Sequence, residues 1–257
     1  MALSFTFGNV DISALPGIEL LVRDVNGYPS RRLNIHKLAR ADKSVTTSAE
    51  FESKSIILTG NLKGDNGSRQ DAEQKWAVIK GYLNQREQEL IISQYGQDII
   101  YIATVARMAD SFLGGYLEWR IEFTCADPVG RETSSSVLLA STNITTATSN
   151  KNVSVGGSHY ASPIITVELN SGTGLSDKAI TIKNAETGQG ITINRTWVAG
   201  ETLTIDCLEK LVSVDGAFVE YSGSFPNFFP GSRVIGYIDT FTTRSVNLAA
   251  TYVRRYV

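Results

Sequence analysis

Residues 116–128, YLEWRIEFTCADP, decide the fold. Two sets of side chains alternate along this stretch. One set is mostly charged or polar, and the other is apolar: Leu117, Trp119, Ile121, Phe123 and Cys125. Because successive side chains of a strand leave on opposite faces, this alternation predicts a half-buried β-strand. Pro128 ends the strand, since proline cannot donate a ladder hydrogen bond. We expect this strand to close the first of two domains.

One amphipathic helix is predicted before this strand, at residues 69–84. Ser68 and Asp71 have the spacing of a capping box, in which side-chain oxygens accept from the first free amides. The apolar residues then follow at intervals of four, three and four and fall on one stripe: Ala72, Trp76, Ile79 and Leu83. We expect the helix to cover one face of a sheet.

The rest of the first 130 residues has the pattern of strands. Residues 44–62 are rich in β-branched residues and predict a hairpin that is partly exposed. The fold class is therefore mainly β, and residues 1–130 are predicted to form a β-sandwich-like domain with one α-helix.

A change in composition marks the domain boundary. Residues 131–150 contain ten Ser or Thr residues in twenty. A structureless loop of that length is uncommon inside a compact domain. We therefore place the boundary at residues 130 and 131 and treat residues 131–145 as a linker region that leads into the next domain.

Residues 131–257 read as an all-β domain. Short strand patterns alternate with turn signals, of which Asp215-Gly216 is the strongest because a two-residue primed turn needs positive φ at both positions. Many short strands without a helical period predict an antiparallel β-sandwich.

Composition and charge exclude several function classes. Of the 257 residues 19% are charged, and the formal net charge is −2 with a pI near 5.8. Such a chain offers no basic field for nucleic acid. The first residues lack a positive n-region and a long apolar core, so we expect no signal peptide and folding in a cytoplasm. No apolar run is long enough for a transmembrane helix, and we expect no membrane insertion.

The residues that usually perform catalysis or bind metals are sparse. His36 and His159 lie in different domains without metal-ligand spacing, and phosphate-loop, dinucleotide and nucleophile-elbow motifs are absent. We expect no catalytic, cofactor-binding or metal-binding residues. Cys125 and Cys207 lie on the apolar phase of strand patterns and are expected to be buried free thiols.

Aromatic residues in the second domain allow two interpretations. Exposed aromatic rings could stack on sugars, with Trp197, Phe225 and Phe228 as the candidate glycan contacts. The favoured alternative is packing in the core and at the edges of the sandwich, with Phe229 and Tyr237 belonging to the same set. A carbohydrate-binding module or adhesin therefore stands as the second candidate function, and a glycoside hydrolase as a third.

Several short motifs, in their order, resemble one protein family. They are the strand end Phe123-Thr124-Cys125-Ala126-Asp127-Pro128, the Ser/Thr-rich junction, Ala161-Ser162-Pro163, Thr204-Ile205-Asp206, Gly223-Ser224-Phe225-Pro226 and Pro230-Gly231-Ser232. Together they are similar to the distal tail protein (Dit) of siphophages, which are bacteriophages with long non-contractile tails.

The resemblance implies a structural role in the virion. It implies a homohexameric ring at the tail tip or baseplate, assembled in the host cytoplasm, with the N-terminal domains around a DNA channel and a galectin-like C-terminal domain. The implied partners are the tail tube protein, the tail-tip hub or a tail-associated fibre or lysin protein, and the tape-measure protein, with DNA only in passage. No enzymatic activity or cofactor is implied.

A closed ring needs two different complementary faces on each subunit. The predicted hairpin within residues 44–62 is the candidate for one face, because an extended hairpin offers backbone hydrogen bonds to a neighbour. The candidate oligomer-interface residues are Thr47, Glu50, Phe51, Glu52 and Ser53.

Overall fold

The computed structural model describes residues 4–24, 29–37, 44–94, 97–113 and 116–257. The chain divides into two compact units, Met1–Thr133 together with Val257, and Ser134–Tyr256. Each unit has its own hydrophobic core.

The first unit is built from strands and one α-helix, in the following order. The elements are β1 Ser4–Phe7, β2 Val10–Asp11, β3 Ile18–Asp24, β4 Arg31–Lys37, β5 Ser44–Phe51, β6 Lys54–Leu62, a 3-10 turn Asp65–Gly67, α1 Arg69–Leu83, β7 Gln88–Gln94, β8 Gln97–Leu113 and β9 Tyr116–Cys125. Strand β10, Gly130–Ile144, begins here and continues into the second unit.

The main sheet of the first unit is antiparallel, with the order β2-β1-β7-β8-β9-β6-β3. The long strand β8 pairs with β7 through its first residues and with β9 from Ala103 onward. Rings on β1 contact rings on β9: the Phe7 and Phe123 centroids lie 5.3 Å apart and those of Phe5 and Trp119 lie 6.2 Å apart. The sheet therefore folds so that β1 packs against β9, which agrees with the predicted sandwich-like fold.

Strand β9 is the predicted amphipathic strand. The side chains of its apolar phase, from Leu117 to Cys125, are all buried, and the alternate side chains are exposed or half-buried. It pairs with β6 on one side and β8 on the other. The strand thus lies inside the sheet, where both sets of backbone groups are satisfied.

The predicted amphipathic helix is also present, as α1. The Ser68 hydroxyl accepts from the Asp71 amide at 3.3 Å, while the Asp71 carboxylate accepts from the Asp65 amide at 2.6 Å. The predicted stripe is the buried face, and the Trp76 ring stacks on the Trp119 ring with centroids 6.2 Å apart.

The predicted hairpin within residues 44–62 is wrong. Strand β5 pairs with β4, whereas β6 lies between β3 and β9. Strand β6 buries alternate residues along its whole length, among them Ile56, Leu58 and Leu62, so it requires an interior place in the sheet. Strand β5 therefore forms a separate ribbon with the strand that precedes it.

The linker region at residues 131–145 also needs correction, because residues 131–144 belong to β10. Threonine favours strands, and the apolar Leu138 and Ile144 in this stretch are buried. The boundary between the units falls within this strand, after Thr133.

The second unit is a two-sheet antiparallel β-sandwich, as predicted. Its further strands are β11 Thr148–Val155, β12 Ile164–Thr173, β13 Lys178–Asn184, β14 Gly190–Arg195, β15 Thr202–Asp206, β16 Leu211–Val214, β17 Ala217–Phe218, β18 Ser222–Gly223, β19 Gly231–Asp239 and β20 Thr243–Tyr256. One sheet has the order β17-β16-β15-β12-β20-β10, and the other β11-β19-β13-β14-β18.

The hairpin signal in this unit is confirmed. Asp215 and Gly216 have φ values of 48° and 81° and connect β16 to β17. Only a residue tolerant of the left-handed region fits each position.

Candidate functional site

Strands β4 and β5 form a two-stranded ribbon that is not paired with the main sheet of its unit. They pair from Arg31–Phe51 to Lys37–Ser44, and among the described strands they pair only with each other. At its base the Glu52 amide donates to the Ser30 carbonyl at 2.8 Å, and the Ser30 hydroxyl donates to the Glu52 carboxylate. A two-stranded ribbon is at best marginally stable in water, so it favours contact with another surface.

The predicted interface residues all lie on or next to this ribbon. Thr47 occupies a bulge, because Asn34 faces Ser48 and Ile35 faces Thr46. Glu50 and Phe51 end β5, and the following residues Glu52 and Ser53 are exposed. The five residues therefore occupy one short segment at the ribbon's second strand and base.

Charge on the ribbon is one-sided. Strand β4 carries Arg31, Arg32 and Lys37 and no acidic residue, and the Arg32 side chain is exposed. Strand β5 adds a single acid, Glu50. In a chain with a net charge of −2 the ribbon is a local basic element.

A groove of about 390 Å³ lies over strands β3, β6, β9 and β8 of the same unit. We call it the sheet groove and define it by its lining residues: Leu21, Thr59, Gly60, Asn61, Ala109, Asp110, Ser111, Glu118, Trp119 and Arg120. Asn61, Glu118 and Ser111 are direct cross-strand neighbours. The pairing of three strands distant in sequence thus brings these polar side chains together.

Two buried polar atoms of the sheet groove residues have no hydrogen-bond partner among the described residues. They are the side-chain oxygen of Asn61 and the indole nitrogen of Trp119. The Asp110 carboxylate accepts from the indole N–H of Trp76 at 3.0 Å. Next to the groove a smaller cavity of about 240 Å³ is lined by Arg107, Ala109, Arg120 and Glu122.

The sequence pattern gave only a partial signal for this groove. Glu118 and Glu122 lie on the polar phase of β9, and that position alone indicates ordinary surface charge. The contributions of Asn61 and Asp110 come from other strands. Their proximity depends on strand register, which local sequence does not encode.

The candidate glycan contacts in the second unit are mostly inaccessible. Trp197 and Phe228 are 3% and 0% exposed and belong to the sandwich core. The indole N–H of Trp197 donates to the Lys178 carbonyl at 2.9 Å, which fixes the ring inside. Phe225 is half-buried against Tyr221. Because core packing satisfies Trp197 and Phe228, the expectation that they could stack on a sugar is wrong.

Both cysteines are buried free thiols, as predicted. Burial raises the pKa of Cys125 to about 12 and that of Cys207 to about 12, which suppresses the reactive thiolate. Among the described residues no group of three or more His, Cys, Asp or Glu side chains could hold a metal ion. No helix in the described part of the chain combines the length and apolar character needed to cross a membrane.

Comparisons with known proteins match one family in the C-terminal part of the chain. Residues 156–256 match the model of the siphovirus-type tail component, C-terminal domain. The structure of the SPP1 Dit (gp 19.1) protein aligns over 100% of both chains with a TM-score of 0.71 and 12% identity, which shows a shared fold. A chain of the phage P2 baseplate aligns over 98% of both chains with a TM-score of 0.42 and 8% identity. No curated protein sequence matches the chain. Residues 156–256 therefore match the siphovirus-type tail component family, and the chain as a whole has the fold of the SPP1 Dit protein.

Proposed function

We propose that this chain forms a homohexameric ring at the tip of a siphophage tail. The ring joins the tail tube protein to the tail-tip hub or a tail-associated fibre or lysin protein, and contacts the tape-measure protein. Viral DNA passes through its central channel. The role is structural and involves no catalysis, and the ring assembles in the host cytoplasm.

The observation that carries this proposal is the β4–β5 ribbon. A ring of identical subunits needs two different complementary faces, one of which must reach a neighbour. The ribbon pairs with no other described strand and has unpaired strand edges. The ribbon is therefore the part of the chain that we expect to contact a neighbouring subunit. Its proposed contact residues are Thr47, Glu50, Phe51, Glu52 and Ser53.

The charge of the chain fits DNA passage without DNA binding. Lys and Arg number 24 against 26 Asp and Glu. Stable DNA binding requires several phosphates to be neutralised by Lys or Arg. A ring of such subunits has no overall excess of cations with which to retain DNA.

Glycan binding by the second unit is the weaker alternative. It requires exposed aromatic rings, but two of the three candidate residues are buried. We therefore propose assembly rather than sugar recognition as the primary function.

Mass photometry of the purified protein tests the proposal. The chain mass is 28.0 kDa. We expect a population at about six times that mass at nanomolar to micromolar concentration. Monomers or dimers alone over the whole range would contradict the ring.

A further inference from the structure

Two aromatic side chains of the second unit face outward beside the isolated bridge between Ala161 and Phe228. These two residues exchange backbone hydrogen bonds of 2.8 and 3.0 Å, and both side chains are buried. Because successive side chains on extended backbone leave on opposite faces, the next pair along, Tyr160 and Phe229, lies on the outer side. Their rings meet edge to face with centroids 6.5 Å apart, and 56% of Phe229 is exposed.

Arg255 lies next to the same tyrosine. Its guanidinium carbon is 5.2 Å from the centre of the Tyr160 ring, which is a cation–π contact. No described carboxylate forms an ion pair with Arg255, and the Tyr160 hydroxyl has no hydrogen-bond partner among the described residues. We define the Tyr160 cluster as Tyr160, Phe229 and Arg255. It presents a hydroxyl, an exposed ring and an unpaired guanidinium to solvent.

The backbone beneath the Tyr160 cluster is held in place on both sides. Arg233 donates to the carbonyl oxygens of Phe229 and Pro230 at 3.0 and 2.8 Å. The His159 amide donates to the Arg255 carbonyl oxygen at 3.1 Å. A surface whose backbone is already fixed loses little conformational freedom when a ligand binds.

The charge of this surface is one-sided. The segments that build it are residues 156–160, 225–233 and 252–256, and together they contain three Arg and one His and no Asp or Glu. Glu186 reaches this region but is paired with Arg233 at 3.4 Å. The whole chain has 26 acidic residues against 24 Lys and Arg. The cluster is therefore a local basic region, which favours an anionic ligand.

We propose that the Tyr160 cluster binds an acidic saccharide, meaning a sugar that carries a carboxylate or a phosphate group. The apolar face of the sugar ring stacks on Phe229, and the Tyr160 hydroxyl forms a hydrogen bond with a sugar hydroxyl. The Arg255 guanidinium donates to the anionic group. This is a second function beside ring assembly, and it uses neither Trp197 nor Phe228.

The composition of the Tyr160 cluster favours a saccharide over a bare anion or an acidic peptide. A bare anion would use Arg255 alone and leave the Phe229 ring in water. An acidic peptide would have to supply the apolar surface and the carboxylate from separate residues. One acidic sugar unit combines an apolar face, hydroxyl groups and an anion, and so matches a ring and a guanidinium that both contact one tyrosine.

Isothermal titration calorimetry of the full-length chain tests the proposal. The probes are a galacturonate hexamer, a phosphate-bearing mannan, the methyl-esterified galacturonate hexamer and a poly-glutamate of similar charge. We expect binding of at least one of the two acidic saccharides. The uncharged methyl ester and the poly-glutamate should each bind about tenfold more weakly or not at all, because each lacks one part of the recognised group.

Substitutions within the Tyr160 cluster locate the binding. Phe229→Ala and Arg255→Gln should each weaken it about tenfold, and Tyr160→Phe, which removes only the hydroxyl, about threefold. Phe218→Ala is the control for loss of an exposed ring in the same unit, since 75% of Phe218 is exposed. Arg86→Gln is the control for loss of an exposed arginine. Both controls should keep the affinity within about twofold of the original, and urea midpoints report whether each variant is folded.

Three results would overturn the proposal. They are absence of binding to both acidic saccharides, equal binding of poly-glutamate, which would indicate a surface for acidic protein segments, and full affinity in Phe229→Ala or Arg255→Gln. Mass photometry of the same samples reports ring formation separately. Failure of saccharide binding therefore leaves the proposed ring standing, and absence of the ring leaves the saccharide site standing.

Discussion

The indole of Trp119 lies directly against the backbone of Gly60, its cross-strand partner. A Cβ atom on Gly60 would lie 2.4 Å from Trp119 Cζ2 and 2.1 Å from the Glu19 carbonyl oxygen. Trp119 also contacts Phe5 on β1 and Trp76 on α1. The absence of a side chain at Gly60 therefore permits the packing that joins sheet and helix.

Gly60→Ala should destabilise the first unit. The added methyl group must displace either the indole or the backbone of β3, and overpacking of this kind costs about 1–3 kcal/mol. Urea unfolding followed by tryptophan fluorescence measures the loss. Gly81→Ala is the control, because a Cβ there meets nothing within 4 Å and helix propensity predicts a gain of up to about 1 kcal/mol. Equal stability of the Gly60→Ala variant and the original chain would refute this packing.

Arg244→Ala should destabilise the second unit. The Arg244 Nε lies 2.9 Å from the carboxylate of Asp239, whose side chain is 0% exposed. Removal of Arg244 leaves the buried Asp239 carboxylate without its cation, and loss of one partner of a buried ion pair costs about 3–5 kcal/mol. Thermal unfolding measures the change, with Arg131→Ala in an exposed pair as a control that should cost less than about 1 kcal/mol. A loss no larger than the control's would count against a buried ion pair.

Stability should fall at alkaline pH. Burial raises the pKa of the Cys207 thiol to about 12, well above its ordinary value of 9.0. Between these two values the folded chain holds the proton more tightly than the unfolded chain, so the free energy of unfolding decreases as pH rises. The decrease amounts to about 1.4 kcal/mol per pH unit for each such group.

Urea midpoints at two values between pH 9.5 and 11 measure this slope. Cys207→Ala should make it shallower by the contribution of one group. Cys125 and Tyr101, whose pKa is also raised to about 12 by burial, keep the remainder of the slope. An unchanged slope in Cys207→Ala would contradict a buried, protonated thiol.

Local periodicity predicted the elements that depend on it. The alternation in β9 and the apolar stripe of α1 predict directly which side chains face the core. The structure confirms both predictions. The partner of β5 could not be predicted, because β4 and β6 are both adjacent to it in sequence. Strand β6 is needed inside the main sheet between β3 and β9, and this leaves β4 as the partner of β5. Trp197 was ambiguous for a similar reason, since an aromatic residue packs equally well in a core or at a binding surface. The sheet groove needs the register of three strands and was not visible in the sequence.

Replacement of residues 31–51 by a short Gly-Ser linker should abolish the ring and preserve the fold. The ribbon of strands β4 and β5 within this range pairs with no other described strand, while β6 keeps its partners β3 and β9. We expect a monomer at about the mass of one chain, with strand content and urea midpoint close to the original. A shortened chain that still forms a six-subunit ring would show that the ribbon is not required for contact between subunits.

Projection images of the purified full-length protein test the central claim most directly. Class averages from negative-stain electron microscopy should show rings with six-fold symmetry and a central opening. Single 28.0 kDa particles, or closed assemblies with another symmetry, would contradict the proposed hexameric ring.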